Sequence, residues 1–306
     1  MIDLIPIPID ISGSQRGCLM GPDAISVAGL EKQLRALGHE VTRRPTVIPA
    51  GLPMEGAGPS NGSATLKDMD AALAWIEAMH ELKLSEATTL FLGGNHLLSA
   101  GTIPVVAKRA ETAGKPLFVL WLDAHSDFHT LGSTTSGNLH GTPVAYVTQR
   151  DGFGDGFPDL PAAVPAERFF MMGLRSVDGP ERAALRNFGI ETADMRRIDE
   201  EGVAPILRQF LEKVNHAGGT LHVSLDIDFL DPEIAPAVGT TVPGGATFRE
   251  AHLIMEMLHD SGAVSSVDLA ELNPILDERG KTAQLAVDLL ASLFGKSVLD
   301  RKTTRF

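Results

Sequence analysis

Asp123, His125 and Asp127 stand at alternate positions in LWLDAHSDFH, and no other feature restricts this chain as much. A second pair, Asp226 and Asp228 in HVSLDIDFLDP, repeats the spacing further along. Each set closes an apolar, β-branched run, which places it at the carboxyl end of a buried strand. Side chains two apart on a strand share a face, so each set is expected to project its polar groups to one side. A third strand pattern, TTLFLGGNH, ends in Gly93-Gly94-Asn95-His96, where paired glycines permit close backbone approach and bring His96 to the same region. Carboxylates gathered this way repel one another unless a cation neutralises them. The residues therefore predict a metal site built from His96, Asp123, His125, Asp127, Asp226 and Asp228.

Charge balance points to two metals, because the four aspartates of this set match two divalent cations and neutral imidazoles complete the shells. Oxygen donors outnumber nitrogen and no thiolate is present, which favours Mn²⁺ and leaves Zn²⁺, Co²⁺, Ni²⁺ and Fe²⁺ open. Two such ions roughly 3.5–4 Å apart can share a water and bring its pKa toward neutrality, giving a nucleophile for C–N or ester hydrolysis. Asp231 precedes Pro232 and reads as a turn or capping residue instead. His39, His80, His216, His222, His252 and His259 have no partner spacing and read as structural or surface residues.

The surrounding pattern predicts strands over Ile2–Ile7, His39–Arg43, Thr88–Leu92, Leu117–Leu122, Phe169–Gly173, Leu221–Leu225 and Val264–Leu269. Helical periodicity falls between them, over Pro22–Leu37, Leu66–Leu82, Ser99–Ala113, Gly179–Phe188, Val203–Val214, Phe248–Ser261 and Thr282–Phe294. Such alternation predicts an α/β fold, a three-layer α-β-α arrangement with a mostly parallel central sheet. Ligands of such sheets bind at the carboxyl edge, where all the motifs above fall. No linker-like tract divides the 306 residues, so a single domain is expected. Val47–Ser63 and Asp151–Pro165 are rich in Gly and Pro and read as loops; Tyr146, Phe153 and Phe157 near the second suit either a pocket lining or, more commonly for such aromatics, pinning of the loop.

Acidic residues outnumber basic ones 39 to 26, for a formal charge of −13. That argues against nucleic acid and anionic membrane as partners, since both require basic patches, and is otherwise what solubility asks for. MIDLIPIPIDIS is a strand pattern with no basic head, and no run reaches the roughly 18 apolar residues of a membrane span. Cys18 is the one cysteine, so no internal disulfide forms. A cytoplasmic location is the expectation.

GGNH, DAHSD, TTSGNLHGTPVA, GLRSVD, SLDIDFLDPEIAPAVGTTVPGG and DLAELNP follow one another in the order seen in the arginase family of ureohydrolases, which this sequence resembles from RGCLMGP (16–22) almost to its end. By that resemblance His96, Asp123, Asp127 and Asp226 would hold one manganese, and His125, Asp123, Asp226 and Asp228 the other. The resemblance also assigns His140 as a proton-transfer residue and Glu271 as the guanidinium anchor, with Thr240 lining the site. Ser136 and Asn138 in TTSGNLHG match positions that read an α-carboxylate, and Asp178, supported by Glu181, the position facing an α-amino group. Asp178 equally suits a helix cap. The implied activity is hydrolysis of L-arginine to L-ornithine and urea, by a homo-oligomer, trimeric or hexameric.

Three departures stand out. Asn95 replaces the aspartate of the usual GGDH, His129 stands where many relatives carry an asparagine near the substrate carboxylate, and Ser176 replaces an aspartate after GLR. They keep two further readings open: a sister enzyme for agmatine or another guanidino acid, and a metal-binding homologue impaired in catalysis.

Overall fold

Strand alternation sets the layers. Along β6 (Leu117–Leu122), Phe118, Leu120 and Leu122 enter one apolar cluster while Leu117, Val119 and Trp121 enter another on the opposite side. A strand buried on both faces in this way must lie between two helical layers. The computed structural model describes all residues except 14, 52–56, 61–64, 155 and 300–306.

The other strands are β1 (Ile2–Ile7), β2 (Val41–Arg43), β3 (Ala57–Ser60), β4 (Thr65–Lys67), β5 (Thr88–Gly93), β7 (Phe169–Leu174), β8 (Glu191–Asp194), β9 (Thr220–Asp226) and β10 (Val264–Ala270). Eight form one sheet in the order β2-β1-β5-β10-β9-β6-β7-β8, every pair parallel. One helical layer holds α1 (Gly21–Val27), α2 (Leu30–Ala36), α7 (Met195–Glu201), α8 (Val203–His216), α9 (Phe248–Ser261) and α10 (Lys281–Leu293). The other holds α3 (Met69–His80), α4 (Ser99–Thr112), α5 (Pro143–Val147) and α6 (Gly179–Phe188). The three-layer parallel architecture is the one the sequence predicts. Among the described residues, no helix is long and apolar enough to cross a membrane.

Several boundaries differ, each for a local reason. The helix expected over Pro22–Leu37 is two, because Gly29 adopts φ 97° and interrupts the ladder between α1 and α2. The helix expected from Leu66 begins at Met69, since Leu66 belongs to β4 and Asp68, at φ 49°, turns the chain between them. β4 pairs antiparallel with β3, which lies inside the expected loop Val47–Ser63; positions 52–56 and 61–63 of that loop fall outside the described residues. β8 and α7 went unread because an edge strand of sequence ETAD and a seven-residue helix carry little apolar pattern. Tyr146, Phe153 and Phe157 do pin their loop: their ring centroids lie 4.8–5.4 Å apart, and Tyr146 Oη donates to Pro158 O at 2.6 Å.

The sheet order positions the site. β9 and β10, late in the chain, insert between β5 and β6, so the ends of β5, β10, β9 and β6 become neighbours. Gly94 makes the close approach possible, since a Cβ there would lie 1.7 Å from Ile9 O. Its own carbonyl accepts the Glu271 N–H at 2.8 Å, joining the end of β5 to that of β10.

Candidate metal centre and adjoining pocket

The strand-face expectation needs correction. β6 stops at Leu122, and Asp123, His125 and Asp127 lie beyond it in a tight turn. His125 N–H donates to Asp123 Oδ1 at 2.6 Å, and Asp127 adopts the left-handed φ of 45°. After β9 the same device recurs: Asp228 N–H donates to Asp226 Oδ1 at 2.7 Å and opens a 3₁₀ turn. These Asx turns, rather than an extended pleat, bring the alternate side chains together. Glu271, following β10, also sits at positive φ, 63°. Such backbone costs about 1–3 kcal/mol per residue and persists where the surroundings fix it.

All six predicted donors converge. His96 Nδ1 lies 2.9 Å from Asp226 Oδ2, 3.0 Å from Asp123 Oδ2 and 3.4 Å from Asp127 Oδ2. His125 Nδ1 lies 2.9 Å from Asp228 Oδ2 and 3.4 Å from Asp123 Oδ1. Two adjoining clusters result, His96-Asp123-Asp226 and Asp123-His125-Asp228, and the two oxygens of Asp123 belong one to each. Together they form a site for two metal ions.

A buried hydrogen-bond chain shows that these donors suit cations. Asp268 is fully buried and accepts from Ser99 Oγ at 2.6 Å and Thr102 Oγ1 at 2.7 Å. Burial opposes its charge, but the His222 imidazole and the Ser99 and Thr102 hydroxyls hold it below the usual carboxylate range, so it only accepts. Ser99 has then used its proton, and its contact with Ser224 Oγ at 3.2 Å must be donated by Ser224. Ser224 in turn must accept from His96 Nε2–H at 2.8 Å. His96 Nε2 is thus committed as a donor and Nδ1 faces the carboxylates, where neither it nor Asp123 Oδ2 has another partner. Burial opposes the imidazolium, but Asp123 and Asp226 outweigh it and hold a proton there when no cation is bound. A lone pair facing carboxylate oxygens is repulsive until a proton or a cation lies between them. Ser224 and Ser99 escaped the sequence reading, although Ser224 lies two before Asp226 on β9, the spacing of a shared strand face.

Without cations, protons take their place. Burial alone pushes Asp127, Asp226 and Asp228 up, and the charge of neighbouring aspartates adds to it; Asp228 rises to about 6. Burial disfavours the imidazolium of His125, yet Asp123 and Asp228 outweigh it and push His125 up to about 12. A group with a raised pKa stabilises the metal-free fold while protonated, and loses that contribution as pH rises through its folded value. For Asp228 the window runs from 3.8 to about 6. Metals displace these protons and are favoured by higher pH. The gap in melting temperature between metal-loaded and chelator-treated protein should therefore widen from about pH 4 to about pH 7. A gap independent of pH in a thermal-shift titration would contradict this.

A cavity of about 260 Å³ opens over the clusters. On one wall His140 Nδ1 lies 3.0 Å from Glu271 Oε1, which also accepts His96 N–H at 2.8 Å. Burial pushes Glu271 up, but the His140 contact and the His96 N–H outweigh it and keep it an anion. Thr240, Ser176, Ser136 and Asn138 line other parts. Asn138 N–H donates to Ser136 Oγ at 3.2 Å, and its Oδ1 accepts from Lys67 Nζ at 2.6 Å.

Asp178, also on the cavity wall, is the N-cap of α6, as its capping signature suggests, and its side chain is 63% exposed. Glu181 plays a supporting part: it accepts Ser126 Oγ–H at 2.7 Å, Phe128 N–H at 2.9 Å and Asp178 N–H at 3.1 Å. His129 Nε2 lies 3.2 Å from Asp178 Oδ2 and 3.4 Å from Glu181 Oε2, so it steadies these acids rather than standing free. Asn95 caps the turn by accepting Leu97 N–H, while its Nδ2 donates to Ile11 O. An ionised aspartate could not make the second bond. Asp231 is a turn residue, accepting N–H bonds from Glu233, Gly244 and Gly245.

Comparison with known proteins agrees with this geometry. The arginase family model matches residues 1–295. The chain is 54% identical to an arginase of Brucella suis biovar 1 over 99% of both sequences, and 54% identical to an arginase of Agrobacterium fabrum over 99% of this chain and 93% of that one. The native structure of an arginase from Bacillus caldovelox superposes with a TM-score of 0.87 at 33% identity, covering 97% of this chain and 99% of the other. By sequence, by fold and by its paired metal clusters, the chain belongs to the arginase family of metal-dependent amidinohydrolases.

Proposed function

We propose that this enzyme hydrolyses L-arginine to L-ornithine and urea, with Mn²⁺ as its metal. The observation that carries the reading is the Glu271–His140 pair set beside two clusters that share Asp123. His96, Asp123, Asp127 and Asp226 would hold one ion and His125, Asp123, Asp226 and Asp228 the other. When bound, the pair of cations supplies a water whose pKa is brought close to neutrality.

The protein's own groups do the rest. The anionic Glu271 binds the planar guanidinium and holds its carbon over the metal clusters. His140, its Nδ1 proton turned to Glu271, carries the exchangeable proton at Nε2 and delivers it to the departing amine. Asp178 pairs with the substrate ammonium, steadied by His129 and Glu181. Ser136 and Asn138 take the α-carboxylate, and Thr240 completes the wall around the guanidinium. By the same family resemblance we expect a homo-oligomer, trimeric or hexameric, and a cytoplasmic location.

Urea release by Mn²⁺-loaded protein from L-arginine and from agmatine, measured separately, tests the substrate. Preference for arginine supports the reading, and preference for agmatine keeps the metal chemistry but overturns the amino-acid clamp. His140→Ala should lower kcat by about 10²–10⁴ with little change in KM, the range expected for a lost proton-transfer group. Asn138→Ala should instead raise KM for arginine; a larger kcat loss in this variant than in His140→Ala would reverse the two roles.

A further inference from the structure

The Ser136–Asn138 loop is tied to a residue that no motif identifies. Lys67, the last residue of β4, donates from Nζ to Asn138 Oδ1 at 2.6 Å, and its backbone N–H donates to Gly137 O at 3.0 Å. An ammonium has donors only, so the atom facing it is the amide oxygen of Asn138. The oxygen and nitrogen of an amide are assigned from such partners. With Oδ1 committed to Lys67, the Asn138 NH₂ is left for the cavity it lines. That is the end of the amide that can donate to a carboxylate.

Charge adds a second reason. Asp127, Asp178, Glu181, Asp226, Asp228 and Glu271 line the cavity, and among the described residues no lysine or arginine does. Two divalent cations would balance the four aspartates around them, leaving Asp178, Glu181 and Glu271 as further acids on the cavity wall. A substrate guanidinium meets Glu271 and an ammonium meets Asp178, but an α-carboxylate meets a wall of its own sign. Arg175 does not line the cavity; its guanidinium is held by the backbone carbonyls of Asp228, Phe229, Leu230 and Val242 and its charge acts on Asp228, Asp123 and Asp226 instead. The Lys67 ammonium stands directly behind the carboxylate-reading loop.

We propose that Lys67 determines specificity for α-amino-acid guanidines, by its charge on the α-carboxylate and by fixing the donor end of Asn138 toward it. The inference rests on the L-arginine reading above. It predicts discrimination against a decarboxylated guanidino amine, which would bring no group for Lys67 to attract.

The test compares full-length Mn²⁺-loaded wild type, Lys67→Met and Lys67→Arg on L-arginine and on agmatine. Lys67 is exposed, so neither change disturbs the core. Lys67→Met should raise KM for arginine about tenfold, the low end for a hydrogen bond to a charged group. Its kcat should stay within about twofold and its agmatine kinetics unchanged. Lys67→Arg, which keeps the charge, should restore most of the arginine KM. Raising ionic strength should raise the arginine KM of wild type more than that of Lys67→Met. An unchanged arginine KM in Lys67→Met overturns the proposal, and so does an equal rise for both substrates, which would mark Lys67 as a general prop for the loop. A wild type that prefers agmatine removes the arginine reading and this proposal with it, before any variant is made.

Discussion

Asp226→Asn is expected to release urea from L-arginine at least about a thousandfold more slowly than wild type, the scale on which one preorganised electrostatic group acts on a transition state. The same change should make the metal-free protein melt higher at neutral pH. Both effects follow from one oxygen. Asp226 Oδ2 lies 2.9 Å from His96 Nδ1, while Oδ1 holds the Asp228 N–H at 2.7 Å. An asparagine can keep Oδ1 on that N–H and so preserve the turn. Its NH₂ then faces His96 Nδ1 and donates to it, where the metal-free wild type needs a bound proton between the two. Burial and the nearby Asp228 and Asp123 charges already push Asp226 well above the ordinary range, so a neutral side chain relieves the metal-free fold. A donor in place of an acceptor cannot hold a cation. Metal analysis after dialysis against Mn²⁺ should find fewer than two ions per chain. Full occupancy with full turnover would remove Asp226 from the site.

Glu271→Gln is the second large effect, and it should leave metal occupancy intact. Glu271 belongs to neither cluster. Its Oε1 accepts His96 N–H at 2.8 Å and faces His140 Nδ1 at 3.0 Å, so a glutamine must keep its oxygen there. The amide NH₂ then occupies the Oε2 position and presents donors to a guanidinium that also has only donors. Loss of one partner from a buried, hydrogen-bonded charge pair costs about 2–5 kcal/mol, or roughly 30- to 5,000-fold in kcat/KM. Full metal content with such a loss supports the anchor. Loss of metal would instead place Glu271 among the ligands, and wild-type kcat/KM would mean the guanidinium binds elsewhere.

These two residues also show the reach of the sequence. Asp226 stands out because an apolar run ends in paired acids, and that signal is local. Glu271 has no such spacing, and only the wording of DLAELNP singled it out. His129 was legible as a departure but not in its role, because contact with Asp178 across 49 positions depends on how the ends of β6 and β7 sit together. Asn95 looked like a weakness in the sequence. In the fold its Oδ1 accepts Leu97 N–H and its amide donates to Ile11 O, so the asparagine is itself bonded at the turn.

Periodicity determined the seven inner and N-terminal strands of the main sheet, the layers and the class of donor, because burial on two faces and the end of an apolar run are written in neighbouring residues, whereas β3, β4 and β8 carry too little apolar pattern. It did not determine where the chain would turn. Asp123, His125 and Asp127 meet through an Asx turn beyond β6, not through strand pleat. Sheet order decided the rest. His96 is oriented by Ser224, 128 positions away, and Asn138 by Lys67, 71 positions away. Hydrogen bonds of that span exist only once β9 and β10 have inserted between β5 and β6 and the β3–β4 hairpin has met the Ser136–Asn138 loop. The sequence by itself chose which groups would gather, and the tertiary structure decided which proton each would carry and which atom would face the substrate.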